Sequence, residues 1–284
     1  MVSGINKMYG SIRKTRLYRF AGRVYRKLET KQYLAGKGEG FYCPGCKQNW
    51  KSFRPIPEEW VKPLFASGWP YTGDDAETLN YKNYTCYSCG ITDRDRLYIL
   101  FFEKILEKNR HYNIIEFAPT PSLSRLLKKM PNVTHRTSDL FMEGVDDKLD
   151  LQDLHLYKDQ SFDVFVCSHI LEHVADDIKA MKELYRVLKP GGWGIVMVPI
   201  IEPVTETHDD PSIKDENLRL KYFGQGDHVR LYAKDDFIQR LESAGFKVKL
   251  YGVDYFGEAL FDRSGITRKS VLYIVEKLIF KAIE

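Results

Sequence analysis

The stretch that decides the fold lies in residues 161–199, which read SFDVFVCSHILEHVADD over 161–177 and LKPGGWGIVMVP over 188–199. The continuous apolar run at 162–168 predicts a buried strand. Residues 176–188 carry apolar side chains at helical spacing, and Pro190-Gly191-Gly192 turns the chain into a second strand at 193–200. This block therefore predicts a strand, a crossover helix and a parallel strand.

The same alternation continues on both sides of this unit. The predicted elements are strands at 112–118, 132–137, 148–149, 246–255 and 271–276, and helices at 122–130 and 234–244, with a long polar loop from 201 to about 232. Repeated strand–helix units predict a mainly parallel sheet covered by helices on both faces. The last two strands have no predicted helix between them, which predicts one antiparallel strand at a sheet edge.

Acidic residues lie at the ends of three predicted strands. Glu116 lies near the end of the first, Asp139 follows the second and Asp150 follows the third. In open parallel sheets, ligands bind beyond the carboxyl ends of the strands, and an acid after the second strand suits ribose hydroxyls. A solvated charge is the alternative for each carboxylate taken alone, because other aspartates lie nearby.

Two segments carry a family resemblance: the block at 161–199 and FGQGDHVRLYAKDDFIQRLESAGFKV at 223–248. Both resemble class I S-adenosylmethionine-dependent methyltransferases. The resemblance covers about residues 112–276 and is most specific in 161–199. It implies an α/β, doubly wound, mostly parallel seven-stranded Rossmann-like sheet, a methyltransferase domain over 111–284, and S-adenosylmethionine as cofactor.

The resemblance also implies roles for individual residues. Glu116 would lie near the methionine part of the cofactor, Asp139 at the ribose and Asp150 beside the adenine amino group. Cys167 and Ser168 would line the sulfonium. The complete set of implied cofactor-binding residues is Glu116, Ala118, Thr120, Asp139, Asp150, Leu151, Cys167 and Ser168.

The turn after the first strand departs from the family's pattern. The family usually has a glycine-rich turn, because glycine allows positive φ and close approach of the backbone. This chain has Ala118-Pro119-Thr120-Pro121-Ser122, and proline fixes φ at about −65°, so two positions cannot keep the usual geometry. A helix can still begin with Thr120 as N-cap and Pro121 at its first position. Its N-terminus suits a carboxylate, so we expect cofactor binding to be retained.

Histidines beyond the strand ends are the candidates for acid–base chemistry. A hydroxyl acceptor needs a base for methyl transfer, and histidine titrates near neutral pH. His169 and His228 are the predicted catalytic residues, with His169 as base and a structural or positioning role as its alternative. Around His228, the group Asp227-His228-Arg230 either closes over an acceptor or anchors its loop through an ion pair. For His173, a helix-cap or packing role is preferred.

Four of the five cysteines form two Cys-x-x-Cys pairs, Cys43 with Cys46 and Cys86 with Cys89. Two such pairs can supply four thiolates to one tetrahedral Zn²⁺, whereas a redox dithiol needs only one pair and a disulfide is disfavoured in a reducing compartment. A closed four-sulfur site has no open position for catalysis. We therefore predict structural zinc in a small zinc-ribbon-like module, placed with a connecting helix in residues 36–110. That helix would run from Asp93, as its cap, to about residue 109, and the Pro- and Trp-rich stretch before it predicts a packed loop with little regular structure.

The positive charge is concentrated at the N-terminus. Residues 1–35 hold nine Lys and Arg against one acidic residue, whereas the whole 284-residue chain has a formal net charge of +4. Apolar residues recur there at helical spacing, which predicts a basic amphipathic helix. Three roles stay open for it: peripheral contact with an anionic membrane, neutralisation of nucleic-acid phosphates, or packing on the zinc module or a second subunit in a homodimer. Because the remainder is mildly acidic, nucleic acid is the less favoured partner.

Composition excludes several classes of protein. With 43% hydrophobic and 13% aromatic residues, the chain can bury a core and is not disordered. It contains no apolar run of about 18 residues and begins without the apolar region of a secretory signal. We expect a cytoplasmic protein, peripheral to the inner face of the membrane if the basic helix binds lipid.

Three functions are compatible with these features. The leading hypothesis is O-methylation of a sugar hydroxyl in a surface polysaccharide or its lipid-linked precursor, because GQGDHVRLY at 224–232 resembles segments of glycan-modifying proteins. The alternative is an rRNA-type methyltransferase, since some bacterial members of that group join a cysteine zinc module to this fold. The third is a non-catalytic, degenerate methyltransferase fold that serves as a binding module, which the altered turn suggests.

Overall fold

The computed structural model describes residues 36–279, so the basic helix predicted for 1–35 lies outside the described residues. The strands are β1 (Lys37–Cys43), β2 (Gln48–Trp50), β3 (Tyr112–Phe117), β4 (Val133–Ser138), β5 (Phe162–Ser168), β6 (Leu188–Met197), β7 (His208–Asp209), β8 (Arg230–Leu231), β9 (Lys247–Tyr251) and β10 (Leu272–Glu276). The α-helices are α1 (Glu58–Ala66), α2 (Asp93–Ile105), α3 (Pro121–Leu127), α4 (Asp177–Val187), α5 (Glu216–Phe223), α6 (Lys234–Ser243), α7 (Val253–Phe256) and α8 (Glu258–Ser264). Across this part of the chain, no helix combines the length and apolar character needed to cross a bilayer.

Six strands form the central sheet, in the order β4-β3-β5-β6-β10-β9. The first four run parallel to one another, and β10 runs antiparallel to both of its neighbours. The β5–α4–β6 unit predicted from residues 161–199 is confirmed, and so is the Rossmann-like mixed sheet with flanking helices. Because β3, β4 and β5 are parallel, their carboxyl ends lie at one edge of the sheet.

The described sheet has six strands where seven were predicted. The short strand expected at 148–149 is replaced by a single parallel bridge between Ser138 and Asp147. The reason lies in the turn beyond it: the N–H of Phe141, which a ladder continuing to residue 149 would use, donates to Oδ1 of Asp139 at 2.7 Å. Because that N–H donates to a side chain, it cannot join a backbone ladder, and the pairing stops after one bridge.

The antiparallel strand lies inside the sheet, so its prediction as an edge strand is wrong. β10 pairs with β6 on one side and with β9 on the other, which makes β9 the edge. Residues Leu272, Tyr273, Ile274 and Val275 are all buried, as expected of a strand covered on both faces. The segment between β9 and β10 also contains two short helices, α7 and α8, that the sequence did not predict.

The zinc-module region has more regular structure than predicted. β1 and β2 pair antiparallel, with an irregular register between Lys37 and Phe41, and Gly38 and Gly40 both have φ of +147° in this stretch. The two glycines therefore form a bulge in β1. Helix α1 follows within the stretch predicted as loop.

Helix α2 begins at the predicted position, with its cap one residue earlier than expected. The hydroxyl of Thr92 accepts the N–H of Asp95, and the Asp95 carboxylate accepts the N–H of Thr92 at 2.9 Å. This reciprocal pair is a capping box, which leaves Asp93 in the first turn. The helix ends at Ile105, before the predicted end.

One hydrophobic core joins the module to the sheet. Trp50 and Phe53 belong to the same buried cluster as the strand residues. Arg96 of α2 is fully buried, lies 3.9 Å from the Phe53 ring centre, and donates hydrogen bonds to four carbonyls, those of Asn83, Tyr84, Ser264 and Gly265. The module, α2 and the end of α8 are thus held together by one satisfied guanidinium.

Candidate functional site

Two cavities meet at the carboxyl ends of the parallel strands, and His169 lines both. The smaller cavity has a volume of 440 Å³ and the larger cavity 680 Å³. Among the predicted cofactor-binding residues, Ala118, Asp139, Asp150 and Leu151 line the smaller cavity. The sheet therefore brings these four together beside the predicted base.

The turn after β3 has a left-handed residue at Ala118, with φ of 45°. Its N–H donates to the carbonyl of Ser138 on the neighbouring strand at 2.9 Å. Ala118 thus adopts the positive φ that glycine usually supplies, although the proline after it favours extended backbone at this position. The predicted start of the next helix is confirmed, because the Thr120 hydroxyl accepts the N–H of Leu123 and Pro121 is the first helical residue.

Glu116 stabilises the turn after β3 through hydrogen bonds to its backbone and to α3. It is 2% exposed, and its Oε1 accepts the N–H of Thr120 at 3.0 Å. Its Oε2 accepts the Ser124 hydroxyl at 2.6 Å and lies 3.0 Å from Nε2 of His135. Glu116 and Thr120 thus shape the turn, and neither lines the two cavities.

Replacing Ala118 with glycine should raise the free energy of unfolding. A left-handed L-residue costs about 1–2 kcal/mol, and glycine loses part of that gain through unfolded-state entropy, so a net stabilisation of up to about 1 kcal/mol is expected in denaturant unfolding. Ala180→Gly is the matched control. Ala180 is a buried residue of right-handed α4, where glycine should destabilise by about 1 kcal/mol or more. Equal destabilisation by both changes would contradict the strain at Ala118.

Asp139 and Asp150 are both held by backbone N–H groups. Oδ1 of Asp139 accepts the N–H of Phe141 at 2.7 Å and that of Met142 at 2.6 Å. Oδ1 of Asp150 accepts the N–H of Gln152 at 2.8 Å. Each carboxylate is therefore fixed in direction while it lines the smaller cavity, as a binding site for hydroxyl or amino donors requires.

Besides Glu116 and Thr120, two further predicted cofactor-binding residues lie outside both cavities. Cys167 is fully buried, and the Ser168 hydroxyl lies 2.8 Å from the hydroxyl of Tyr98. Neither lines a cavity, whereas His169, the next residue, lines both. Phe141 also lines the smaller cavity and is 83% exposed. Sequence reasoning missed it, although a large aromatic residue two positions after Asp139 was a usable signal.

His169 has an unusual backbone and a partly buried ring. Its φ is 57°, and its N–H donates to the carbonyl of Met197 on β6 at 2.8 Å. Nδ1 lies 3.1 Å from Oε1 of Glu172. Burial, followed by the nearby positive charge of Arg94, lowers the pKa of His169 to about 4. The imidazole is therefore neutral at pH 7 and has a lone pair with which to accept a proton.

The larger cavity is apolar on one side and polar at the end near His169. Its apolar wall comes from α1, the segment after it and the end of α5, and includes Leu64, Trp69, Tyr71 and Phe223. The polar end near His169 also includes Arg94 and His228, and the acidic residues Glu58, Asp74 and Glu77 line the same cavity. A ligand with an apolar surface and one polar group would match this distribution.

The 227–230 segment is anchored by Arg230, which is 1% exposed. Its guanidinium donates to the carbonyls of Leu171 at 2.7 Å and Ala175 at 3.0 Å, and pairs with Asp209. The sequence left two roles open for the Asp227-His228-Arg230 group, closure over an acceptor or anchoring of its loop. The contacts of Arg230 correspond to loop anchoring. His228 is 3% exposed and lines the larger cavity, while Asp227 lies 3.5 Å from Nδ1 of His173.

The four paired cysteines converge. The Sγ atoms of Cys43 and Cys89 lie 3.6 Å apart, those of Cys46 and Cys86 lie 3.7 Å apart, and all four lie within 4.8 Å of one another as free thiols. Tetrahedral zinc with bonds of about 2.3 Å separates its sulfur ligands by about 3.8 Å. The four residues therefore fit a zinc ion.

A second group of metal-ligating side chains was missed by sequence reasoning. Ligand atoms of Glu172, His173 and His228 also lie within 4.8 Å of one another. Two of these residues are adjacent in sequence, but His228 lies in a distant loop. Only the tertiary structure brings the three together.

Comparison with known proteins identifies one matched family. Residues 126–196 match the family described as "Methyltransferase domain". A ubiquinone/menaquinone biosynthesis C-methyltransferase UbiE from Escherichia coli O1:K1 / APEC is 30% identical over 114 residues, covering 35% of this chain and 43% of that protein. The match thus spans less than half the length of this curated relative.

Several solved structures are similar in fold. The [4+2]-cyclase SpnF is 14% identical, with a TM-score of 0.48 over 81% of this chain and 100% of that chain. A protein from Bacillus halodurans described as a "putative methyltransferase" is 16% identical, with a TM-score of 0.40 over 64% of this chain and 99% of that chain. An N-methyltransferase from Haemonchus contortus, solved with phosphomonomethylethanolamine and S-adenosylhomocysteine, is 12% identical, with a TM-score of 0.43 over 66% and 53%.

Proposed function

We propose that this chain, whose residues 126–196 match the methyltransferase-domain family, transfers a methyl group from S-adenosylmethionine to a hydroxyl of a sugar, in a surface polysaccharide or its precursor. The observation that carries the proposal is the meeting of two cavities at His169. One cavity has the carboxylates suited to the cofactor, and the other has room for an acceptor.

The smaller cavity is the proposed cofactor site. When bound, the cofactor supplies the activated methyl carbon. Asp139 would accept hydrogen bonds from the ribose hydroxyls and Asp150 from the adenine amino group, since both carboxylates are already oriented by backbone N–H groups. Ala118 lets the backbone approach the ligand through its left-handed conformation.

The larger cavity is the proposed acceptor site. The acceptor hydroxyl lies at the polar end, where neutral His169 receives its proton. The apolar wall, with Trp69 and Tyr71, packs against the apolar face of a sugar ring or against an attached lipid. Alignment across the junction of the two cavities then supplies much of the rate enhancement.

The shape of the larger cavity favours a small acceptor over RNA. RNA enzymes bind splayed bases and phosphates on open, basic surfaces, whereas this cavity is concave, mostly apolar and lined by a single arginine, Arg94. The third candidate, a non-catalytic module, has no comparable support, because the altered turn retains its left-handed residue. The four-cysteine cluster is proposed to hold a structural zinc.

Calorimetric titration with S-adenosylhomocysteine tests the cofactor site. Asp139→Asn and Asp150→Asn should each weaken binding about tenfold or more, because each removes a charged hydrogen-bond acceptor. Asp153→Asn is the matched control, since Asp153 is 65% exposed and lines neither cavity. Absence of binding by the unaltered protein would refute the function proposed for it.

The acceptor is tested with radiolabelled S-adenosylmethionine. Purified lipid-linked glycan, free sugar nucleotides and total RNA are offered separately. Label in either carbohydrate fraction supports the proposal. Label in RNA alone would contradict it and support an rRNA-type methyltransferase.

A further inference from the structure

A carboxylate and two imidazoles converge where the two cavities meet. Ligand atoms of Glu172, His173 and His228 lie within 4.8 Å of one another. His173 lines the smaller cavity and His228 the larger. The group is remote in sequence from the cysteine pairs and differs from them in ligand chemistry.

Glu172 is the least satisfied member of the group. It is 1% exposed, and neither of its carboxylate oxygens accepts a hydrogen bond of good geometry within residues 36–279. Its Oε1 has Nδ1 of His169 at 3.1 Å, and a single imidazole N–H can serve only one oxygen. Burying a carboxylate without adequate partners costs several kcal/mol, so a cation at this position would be strongly favoured.

His228 is oriented as a metal ligand would be. Its Nδ1 lies 3.1 Å from the carbonyl of Phe223, and a carbonyl can only accept, so Nδ1 carries the proton and Nε2 keeps its lone pair. Fixing one ring nitrogen through a backbone carbonyl is the usual outer-shell support of a ligating histidine. The ring of His173 packs edge-on against that of His228, with 4.6 Å between their centres.

The two segments that carry these ligands are fastened together. The N–H of Val229 donates to the carbonyl of Glu172 at 2.9 Å. The buried guanidinium of Arg230 binds carbonyls on both sides of Glu172 and His173, those of Leu171 and Ala175. These contacts fix the spacing of the group, as the supporting contacts of a preorganised binding site do.

We propose that Glu172, His173 and His228 form a binding site for a divalent transition-metal ion, separate from the four-cysteine cluster. Two imidazoles and one carboxylate suit Zn²⁺, Mn²⁺, Fe²⁺ or Co²⁺ better than Mg²⁺ or Ca²⁺, which prefer oxygen ligands. Three protein ligands leave coordination positions open, and the site borders both cavities, so an oxygen of the acceptor can fill one of them. The metal site does not depend on the acceptor's identity or on turnover.

The test uses the full-length protein with zinc in its cysteine cluster. Mn²⁺ is titrated and its free concentration followed by electron paramagnetic resonance, because the four thiolates favour the softer Zn²⁺. The unaltered protein should bind one Mn²⁺ per chain. Glu172→Gln and His228→Gln should each weaken binding at least about tenfold, as loss of a ligand does.

His173→Gln is a third variant, chosen because its side chain is 31% exposed and its replacement disturbs the core least. The matched control is His155→Gln, which removes an exposed histidine paired with Asp153 at 3.3 Å. Elemental analysis after zinc exposure gives a second readout, with two zinc ions expected per chain and one in the variants. The proposal is overturned if the unaltered protein takes up no Mn²⁺ and only one zinc, or if all three variants bind as it does.

Discussion

Replacing His169 with asparagine should lower kcat by about 10²–10⁴-fold, the range for loss of a positioned general base. Asparagine is the suitable replacement because it tolerates left-handed backbone better than most residues, and His169 has φ of 57°. The affinity for S-adenosylhomocysteine should fall far less than kcat, since the cofactor's proposed polar contacts are made by Asp139 and Asp150. The measurement is transfer of radiolabelled methyl to the lipid-linked glycan fraction, with calorimetric titration of S-adenosylhomocysteine beside it.

His155→Asn is the control for this prediction. Its side chain is 61% exposed and it lines neither cavity, so transfer should be unchanged. Normal transfer by His169→Asn would remove His169 from the mechanism and leave the cofactor site intact. Loss of both transfer and cofactor binding would instead assign His169 a structural role at the junction of the cavities.

Much of the site could be predicted because parallel strands place their carboxyl ends together. The order of strands and helices in residues 112–200 was enough to expect Ala118, Asp139, Asp150 and His169 near one another, and all four line the smaller cavity. Ala118, Asp139 and His169 each directly follow a strand, and Asp150 follows the Ser138–Asp147 bridge, so errors in helix or strand boundaries do not move them far. The two cysteine pairs were predictable for a similar reason, since their spacing alone suits one metal.

The parts that could not be predicted depend on long-range packing. Glu172 and His228 meet because Arg230 fastens two loops that are distant in sequence, and no local pattern records that contact. β10 lies inside the sheet because two short helices carry the chain from β9, at the edge, back to a position between β9 and β6. Ala118 is a second kind of residue that could not be predicted. The prolines after it indicated an altered turn, but Ala118 itself still has a positive φ.

Replacing Cys43 with serine should abolish stoichiometric zinc binding by the cysteine cluster and unfold residues 41–92. Structural zinc contributes about 10–16 kcal/mol in peptides of this kind, far more than this small module can gain from its own packing. The effect should spread to the sheet, because Trp50 and Phe53 of the module belong to the same core as the strands. Elemental analysis and the fluorescence of Trp50, which is fully buried, measure the two consequences, and chelation of the unaltered protein should reproduce them.

Cys167→Ala is the matched control, because Cys167 is the one cysteine outside the two pairs and is fully buried in β5. Its loss leaves a small cavity that costs about 1 kcal/mol, with the zinc content unchanged at one ion per chain in the cysteine cluster. If Cys43→Ser keeps a full zinc ion there and its Trp50 stays buried, the cluster does not require four thiolates. If the unaltered protein holds no zinc at all, the 3.6 and 3.7 Å sulfur contacts belong to a reduced thiol cluster, and the module is stabilised by packing alone.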